Sequence, residues 1–163
     1  MTGDLTIRSA GEADIPRLLD LYRHLNPDDL PADPKQARDA LARLVVIPGS
    51  AVLLAEDTDP TEAGGAGTLV GSVTLVVIPN LSRSAAPYAL IENVVTHAEH
   101  RRRGIGRALL HDAARRAWAE GCYKVMLMTG STRPSTLAFY RAAGFTQDKT
   151  GFQMRRLGRR RDG

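Results

Sequence analysis

The sequence predicts a mixed α/β fold, and three observations carry that prediction. Apolar periodicity switches repeatedly between the two-residue alternation of strands and the 3.6-residue spacing of helices. Valine- and leucine-rich runs at 51–55, 69–78 and 88–96 are bounded by glycine, proline and serine, as buried strands are. The run at 88–96 is followed by a helical pattern at 104–120 and a further short β-prone run at 123–128, the order of a right-handed parallel crossover. At 163 residues the chain has the size of one ordinary domain, expected as a core over 5–157 with a basic, frayed tail over 158–163.

Taken in order, Leu5-Thr6-Ile7-Arg8 alternates apolar and polar side chains and reads as a short strand. Gly11-Glu12-Ala13-Asp14 then offers a helix entry, with Pro16 in the first turn and Ile15, Leu18, Leu19 and Tyr22 at helical spacing. Pro27, Pro31 and Pro34 break the chain before a second helix through Ala37, Leu41 and Leu44, which Pro48-Gly49 stops. The runs at 51–55 and 69–78 form an antiparallel hairpin around a floppy, acidic and glycine-rich tip at 61–65. After a loop at 79–87, the segment 88–96 is apolar and β-branched enough for a central strand. In the helix at 104–120, Ile105, Leu109, Ala113 and Ala117 step by four along one face, widened by Leu110, Ala114 and Trp118, and Asp112 pairs with Arg116 one turn away. A strand at 123–128 leads to a helix opened by Ser131-Thr132-Arg133-Pro134 and closed by Gly144-Phe145, with glycine in the left-handed C′ position. A last strand is expected at 152–157.

Composition removes several function classes. No apolar run approaches the roughly 18–20 residues of a membrane helix, and residues 1–5 lack the basic and apolar regions of a secretory signal, so no membrane role and a cytoplasmic location are expected. The net charge of +4 resides in Arg155, Arg156, Arg159, Arg160, Arg161 and Asp162, and the residues through Met154 balance. A basic face for nucleic acid is therefore not expected, the more so with few aromatic residues. Cys122 is the sole cysteine, without a Cys or His grouping at ligand spacing, and reads as a small filler at a helix-to-strand junction; no metal is expected.

The chemistry-bearing segment follows the strand at 88–96. It runs Arg101-Arg102-Arg103-Gly104-Ile105-Gly106-Arg107 into a helix start. A helix N-terminus presents unpaired N–H groups and the positive end of its dipole, which together attract phosphate. Gly104 and Gly106 remove side chains that would hold a pyrophosphate away, and Arg101, Arg102, Arg103 and Arg107 raise the local potential. Neither the Walker spacing nor the Gly-x-Gly-x-x-Gly dinucleotide spacing is present.

Arg101-x-x-Gly104-x-Gly106 after a β-branched strand resembles the acetyl-CoA motif, Arg/Gln-x-x-Gly-x-Gly/Ala, of the GNAT superfamily of N-acetyltransferases. Phe139-Tyr140-Arg141-Ala142-Ala143-Gly144-Phe145 is similar to that family's late helix, Phe/Leu-Tyr-x-x-x-Gly-Phe. The resemblance extends over 5–157. It implies a GNAT-like acyl-CoA N-acyltransferase fold: a mostly antiparallel sheet with a splayed parallel pair of strands and about four helices. It also implies acetyl-CoA as co-substrate, with the backbone of Val94, Val95 and Thr96 pairing with the pantetheine arm and the turn from Arg102 through Ile105 to Arg107 holding the pyrophosphate. A bulge near Val94 or Val95 would leave an N–H free to polarise the thioester carbonyl. Where many family members carry Asn, seven residues before the tyrosine, this chain has Arg133, whose guanidinium is a candidate phosphate contact.

Acetyl transfer needs a neutral amine, hence a base or a water chain. Glu92, two residues before the pantetheine-pairing segment, is the candidate base, with a structural carboxylate or an orienting group for a cationic substrate as its other readings. The resemblance makes Tyr140 the general acid that protonates the departing thiolate; the alternative is an aromatic packing residue. His97 and His100 lie at the mouth of the arginine turn and are read as surface or phosphate-proximal groups. The expected activity is transfer of acetyl to a primary amine by direct attack, on a small molecule; a protein lysine or N-terminal acetyltransferase and a non-catalytic acyl-CoA sensor are the alternatives. A homodimer is expected from the resemblance.

Overall fold

The computed structural model describes residues 4–58 and 67–156; the hairpin tip at 61–65 and the tail at 158–163 lie outside them. The chain divides into two compact units, Met1–Leu127 and Met128–Gly163.

The first unit holds β1 (Asp4–Ser9), a 3-10 turn (Glu12–Asp14), α1 (Ile15–Tyr22), α2 (Pro34–Val45), β2 (Ala51–Thr58), β3 (Thr68–Ile78), β4 (Tyr88–Thr96), a second 3-10 turn (Ala98–His100), α3 (Ile105–Ala119) and β5 (Val125–Leu127). The strands form a five-stranded sheet in sequence order. It is antiparallel from β1 to β4, and β5 joins β4 in parallel after the α3 crossover. This is the mixed, mostly antiparallel sheet with one parallel pair that the sequence predicts.

Both faces of the sheet are covered, which is why β2 and β3 read as continuous apolar runs rather than alternating ones. On one face Ile15, Leu18 and Leu21 of α1 and Leu41 of α2 pack with Val52, Leu54, Leu69 and Val95. On the other, α3 lies close over Gly71 of β3: a Cβ there would stand 2.9 Å from Ile105 Cγ2 and 3.0 Å from Leu109 Cδ1. Glycine at this position lets the helix start sit directly on the strand. Asp33, which resembles acidic loop decoration in sequence, caps α2 by accepting from the Gln36 N–H at 3.0 Å. Gly121, at φ 77°, ends α3 with the Cys122 N–H on the Ala117 carbonyl, and Cys122 is buried at that junction.

An ion cluster ties the first two strands to α1. Arg8 on β1 forks onto both oxygens of Asp14 at 2.7 Å and onto both oxygens of Glu56 on β2 at 2.9 Å. Arg17 of α1 adds a 3.0 Å contact to Glu56. Hydrogen bonds from Arg8 hold the Asp14 carboxyl at about 2 and pull Glu56 below its ordinary value, outweighing burial in both cases.

In the second unit α4 (Pro134–Ala142) starts on a first-turn proline and ends as the sequence predicts. Gly144 takes φ 95°, its N–H reaches the Arg141 carbonyl at 3.0 Å and the Phe145 N–H reaches that of Tyr140 at 3.1 Å. The strand expected at 152–157 is not formed at 152–156, where every residue is exposed; Leu157 lies outside the described residues. Alternation of Phe152 and Met154 supplies strand propensity, but a strand exists only where a ladder takes up its N–H and C=O groups.

Because both carboxylates titrate below their unfolded values, the stabilisation from this cluster is full above about pH 4 and is lost as pH falls towards about 2. Asp14→Asn is expected to lower stability at pH 7 by about 2 kcal/mol, roughly 6 °C in Tm, and to flatten the stability curve between pH 4 and 2. Thermal melts across that range check it, and a variant with the wild-type slope would refute it.

Candidate active site

The site is built on the far half of β4. Strand β5 pairs with β4 only at Ala89, Leu90 and Ile91, so residues 92–96 run on without a β5 partner. Their N–H and C=O groups on that side form an open edge of the kind an extended ligand can join as a further strand. On the β3 side the register slips: Ser72 faces Val95 and Thr74 faces Glu92, leaving Asn93 and Val94 opposite Val73 alone. This is a β-bulge, with Asn93 at φ 52° in the left-handed region that asparagine tolerates better than most residues. A bulge leaves one residue's backbone groups outside the ladder, beside the open edge. The sequence reading missed Asn93, although an asparagine inside a β-branched run was the available signal.

Glu92 is half-buried and faces the α1 side of the sheet with its ladder partner Thr74, on the same face as Ser72 and Val95. Among the described residues no arginine, lysine or hydrogen-bond donor meets its carboxylate, and burial raises its pKa. The paired, structural carboxylate is thus not what the structure contains. An unpaired carboxylate held partly out of water is costly for a fold and useful for taking a proton from a cationic amine.

Beyond Thr96 the chain turns through the 3-10 segment into the arginine-rich turn. Arg102 at φ 62° and Gly104 at φ 80° are both left-handed. Gly104 is the N-cap of α3 and supplies no side-chain cap, so the first N–H groups of the helix stay available to an anion. A Cβ on Gly104 would meet nothing within 4 Å, so the space before the helix is open.

The four arginines are not equivalent. Arg103 is tied to Asp57 at 2.8 Å and to His100 Nδ1 at 2.6 Å, and Arg101 Nη2 donates to the His24 carbonyl at 3.5 Å. Arg102 and Arg107 are exposed, and neither has an ion pair among the described residues. Of the four expected to raise the local potential, Arg103 is largely offset by Asp57, while Arg101, Arg102 and Arg107 have no ion pair among the described residues. The ring of His97 lies 4.1 Å from that of His24 and 5.4 Å from that of His100, so both histidines are occupied with each other and with the turn.

Tyr140 and Arg133 belong to the second unit. Tyr140 is half-buried on α4 with the Phe139 ring 5.0 Å away, and Arg133 is the exposed N-cap residue of that helix. The structure brings Glu92, Val94, Val95, Thr96 and the turn from Arg101 to Arg107 together within the first unit. Among the described residues no group of three or more His, Cys, Asp or Glu side chains is arranged to hold a metal.

The class these features define is an acyltransferase, and the comparisons agree. Residues 17–145 match the acetyltransferase (GNAT) family, and the chain belongs to that family. A protein of Agrobacterium tumefaciens str. C58 assigned to the acetyltransferases is 43% identical in a solved structure, with a TM-score of 0.80 over 93% of this chain and 99% of its own. The glucosamine 6-phosphate N-acetyltransferase of Trypanosoma brucei brucei is 35% identical over 79 residues, 48% of this chain and 52% of that enzyme, so the match spans about half of it. An aminoglycoside N-acetyltransferase in complex with CoA shares the fold at a TM-score of 0.74 and 15% identity, over 96% of this chain and 98% of its own.

The raised pKa of Glu92 has a consequence for stability. A carboxyl that titrates higher in the folded state destabilises the fold once pH rises above its unfolded value. Glu92→Gln is therefore expected to match or exceed the wild-type Tm at pH 7, the difference closing below about pH 4. A clear drop in Tm at pH 7 would show Glu92 to be a structural partner.

Proposed function

We propose that the protein transfers the acetyl group of acetyl-CoA to the primary amine of a small molecule by direct attack. The observation that carries this is the unpaired, half-buried Glu92 beside the bulge and open edge of β4, which lead straight into the uncapped start of α3. In this reading residues 94–96 take the pantetheine arm along the open edge, and the bulge N–H meets the thioester oxygen. The N–H groups at the start of α3, with Arg102 and Arg107, take the pyrophosphate. Glu92, directly or through water, accepts the proton that the ammonium must lose before its nitrogen has a lone pair. Attack forms the C–N bond and a tetrahedral intermediate whose oxyanion the bulge N–H meets; on its collapse the C–S bond breaks, the nitrogen gives up its second proton to water, and the thiolate takes up a proton, for which Tyr140 is the assigned donor on the strength of its motif.

For the acceptor, an amino sugar or a related polyhydroxylated amine is the reading best supported by the kind of relative found, a glucosamine 6-phosphate N-acetyltransferase matched over about half its length. A phosphate on such a substrate would add a second anionic group for the exposed arginines.

Two measurements test the reading. Titration calorimetry of acetyl-CoA is expected to give micromolar binding that the Gly104→Glu, Gly106→Glu double variant loses by at least a hundredfold, because two carboxylates then occupy the anion's place. Absence of binding to the wild-type protein would remove the reading. Thiol release with an amine panel is then expected to show an acid limb above the ordinary carboxylate range, because Glu92 must be ionised to act. Glu92→Gln should abolish that limb and lower kcat about 10²- to 10⁴-fold. An unchanged limb would assign it to another group.

A further inference from the structure

The bulge in β4 is held by side chains outside the set that the family motifs point to. Thr74, on β3, stands opposite Glu92 and is buried. Its Oγ1 lies 3.4 Å from Asn93 Nδ2. A hydroxyl and a carboxamide can bond in either amide orientation, since each presents a donor and an acceptor. Asn93 is the residue whose left-handed backbone makes the bulge. From the other side the phenol of Tyr22, the last residue of α1, lies near the hydroxyls of Thr74 and Ser72. Among the described residues the fully buried Ser72 Oγ has no hydrogen-bond partner.

A left-handed asparagine at a bulge is strained and persists when its surroundings hold it there. Here its amide meets a hydroxyl on the adjacent strand, and the Tyr22 phenol lies near that hydroxyl from the helix above. We propose that Thr74, braced by Tyr22, is the positioning residue that keeps Asn93 left-handed and so aims the bulge N–H at the thioester carbonyl. The inference rests on the acetyl-CoA reading above. It goes beyond that reading by assigning the alignment of the oxyanion donor to a buried hydroxyl on β3 and a phenol on α1, neither of which belongs to the open edge of β4.

The test reads carbonyl polarisation directly and needs no acceptor. Acetyl-CoA labelled with ¹³C at the carbonyl is bound to the protein, and its thioester band is recorded by isotope-edited infrared spectroscopy, alongside calorimetric affinities for acetyl-CoA and CoA. The wild-type protein is expected to shift the band to lower frequency and to prefer acetyl-CoA over CoA. Thr74→Val, which keeps the shape and removes the hydroxyl, should return the band towards its solution position and erase the preference with CoA affinity unchanged. Thr74→Ser should restore both, and Tyr22→Phe should give an intermediate band. A Thr74→Val protein that melts like the wild type and keeps the full shift would overturn the inference and leave the acetyl-CoA reading standing. A wild-type band that does not move on binding would overturn the bulge N–H as the oxyanion donor, and failure to bind would overturn both. If Thr74→Val melts early, Asn93→Gly replaces it: glycine tolerates a left-handed φ but lacks the amide that Thr74 holds, so the band should move back towards its solution position, and a full shift kept by that variant would overturn the inference.

Discussion

The first unit depends on a single irregularity, one extra residue in β4 opposite Val73 of β3. On its β3 side a regular strand would keep every residue in the ladder. Pairing with β3 resumes at Val95 and Thr96, but the bulge removes one residue from that ladder and sharpens the local twist. It does so where β5 has already stopped pairing, so the displaced backbone opens onto an unpaired edge. The parallel crossover through α3 then brings the start of that helix to the same end of β4. The close seating of the helix on Gly71 makes that return short. Edge, bulge and helix start are consequences of one topology rather than three independent features.

Electrostatics around this frame is divided by function. Arginine–carboxylate pairs are concentrated where the fold must be joined, at Arg8, Arg17, Asp14 and Glu56, which bind β1, α1 and β2. Replacing water by well-formed forked hydrogen bonds is what makes burial of those carboxylates tolerable. Glu92 receives no such partner. The contrast between the paired Glu56 and the unpaired Glu92 separates a carboxylate tied into the fold from the one proposed as the base. A similar division runs through the arginine turn, where Arg103 is anchored by Asp57 and His100 while Arg102 and Arg107 remain exposed.

Much of this was legible beforehand because the signals are local. Gly104, Gly121 and Gly144 mark helix ends, since few residues other than glycine accept their backbone angles. The spacing of Ile105, Leu109, Ala113 and Ala117 announces a helix face whatever that face packs against. The element that was misread needed a partner from elsewhere. Residues 152–156 have strand-like alternation and form no strand.

The sequence by itself determined the order of strands and helices, the covered sheet and the anion-attracting helix start, because propensity, capping and periodicity act between residues a few positions apart. Tertiary structure alone decided which carboxylates are paired, which arginines remain free, and that Asn93 sits with Val94 opposite Val73 in a bulge, its amide beside the Thr74 hydroxyl. Those outcomes depend on register and on contacts between distant segments, such as the 19 residues separating Thr74 from Asn93 and the 77 separating His24 from Arg101. No local pattern specifies a register of that kind. Only the packing of α1 and α3 on the two faces of the sheet sets it.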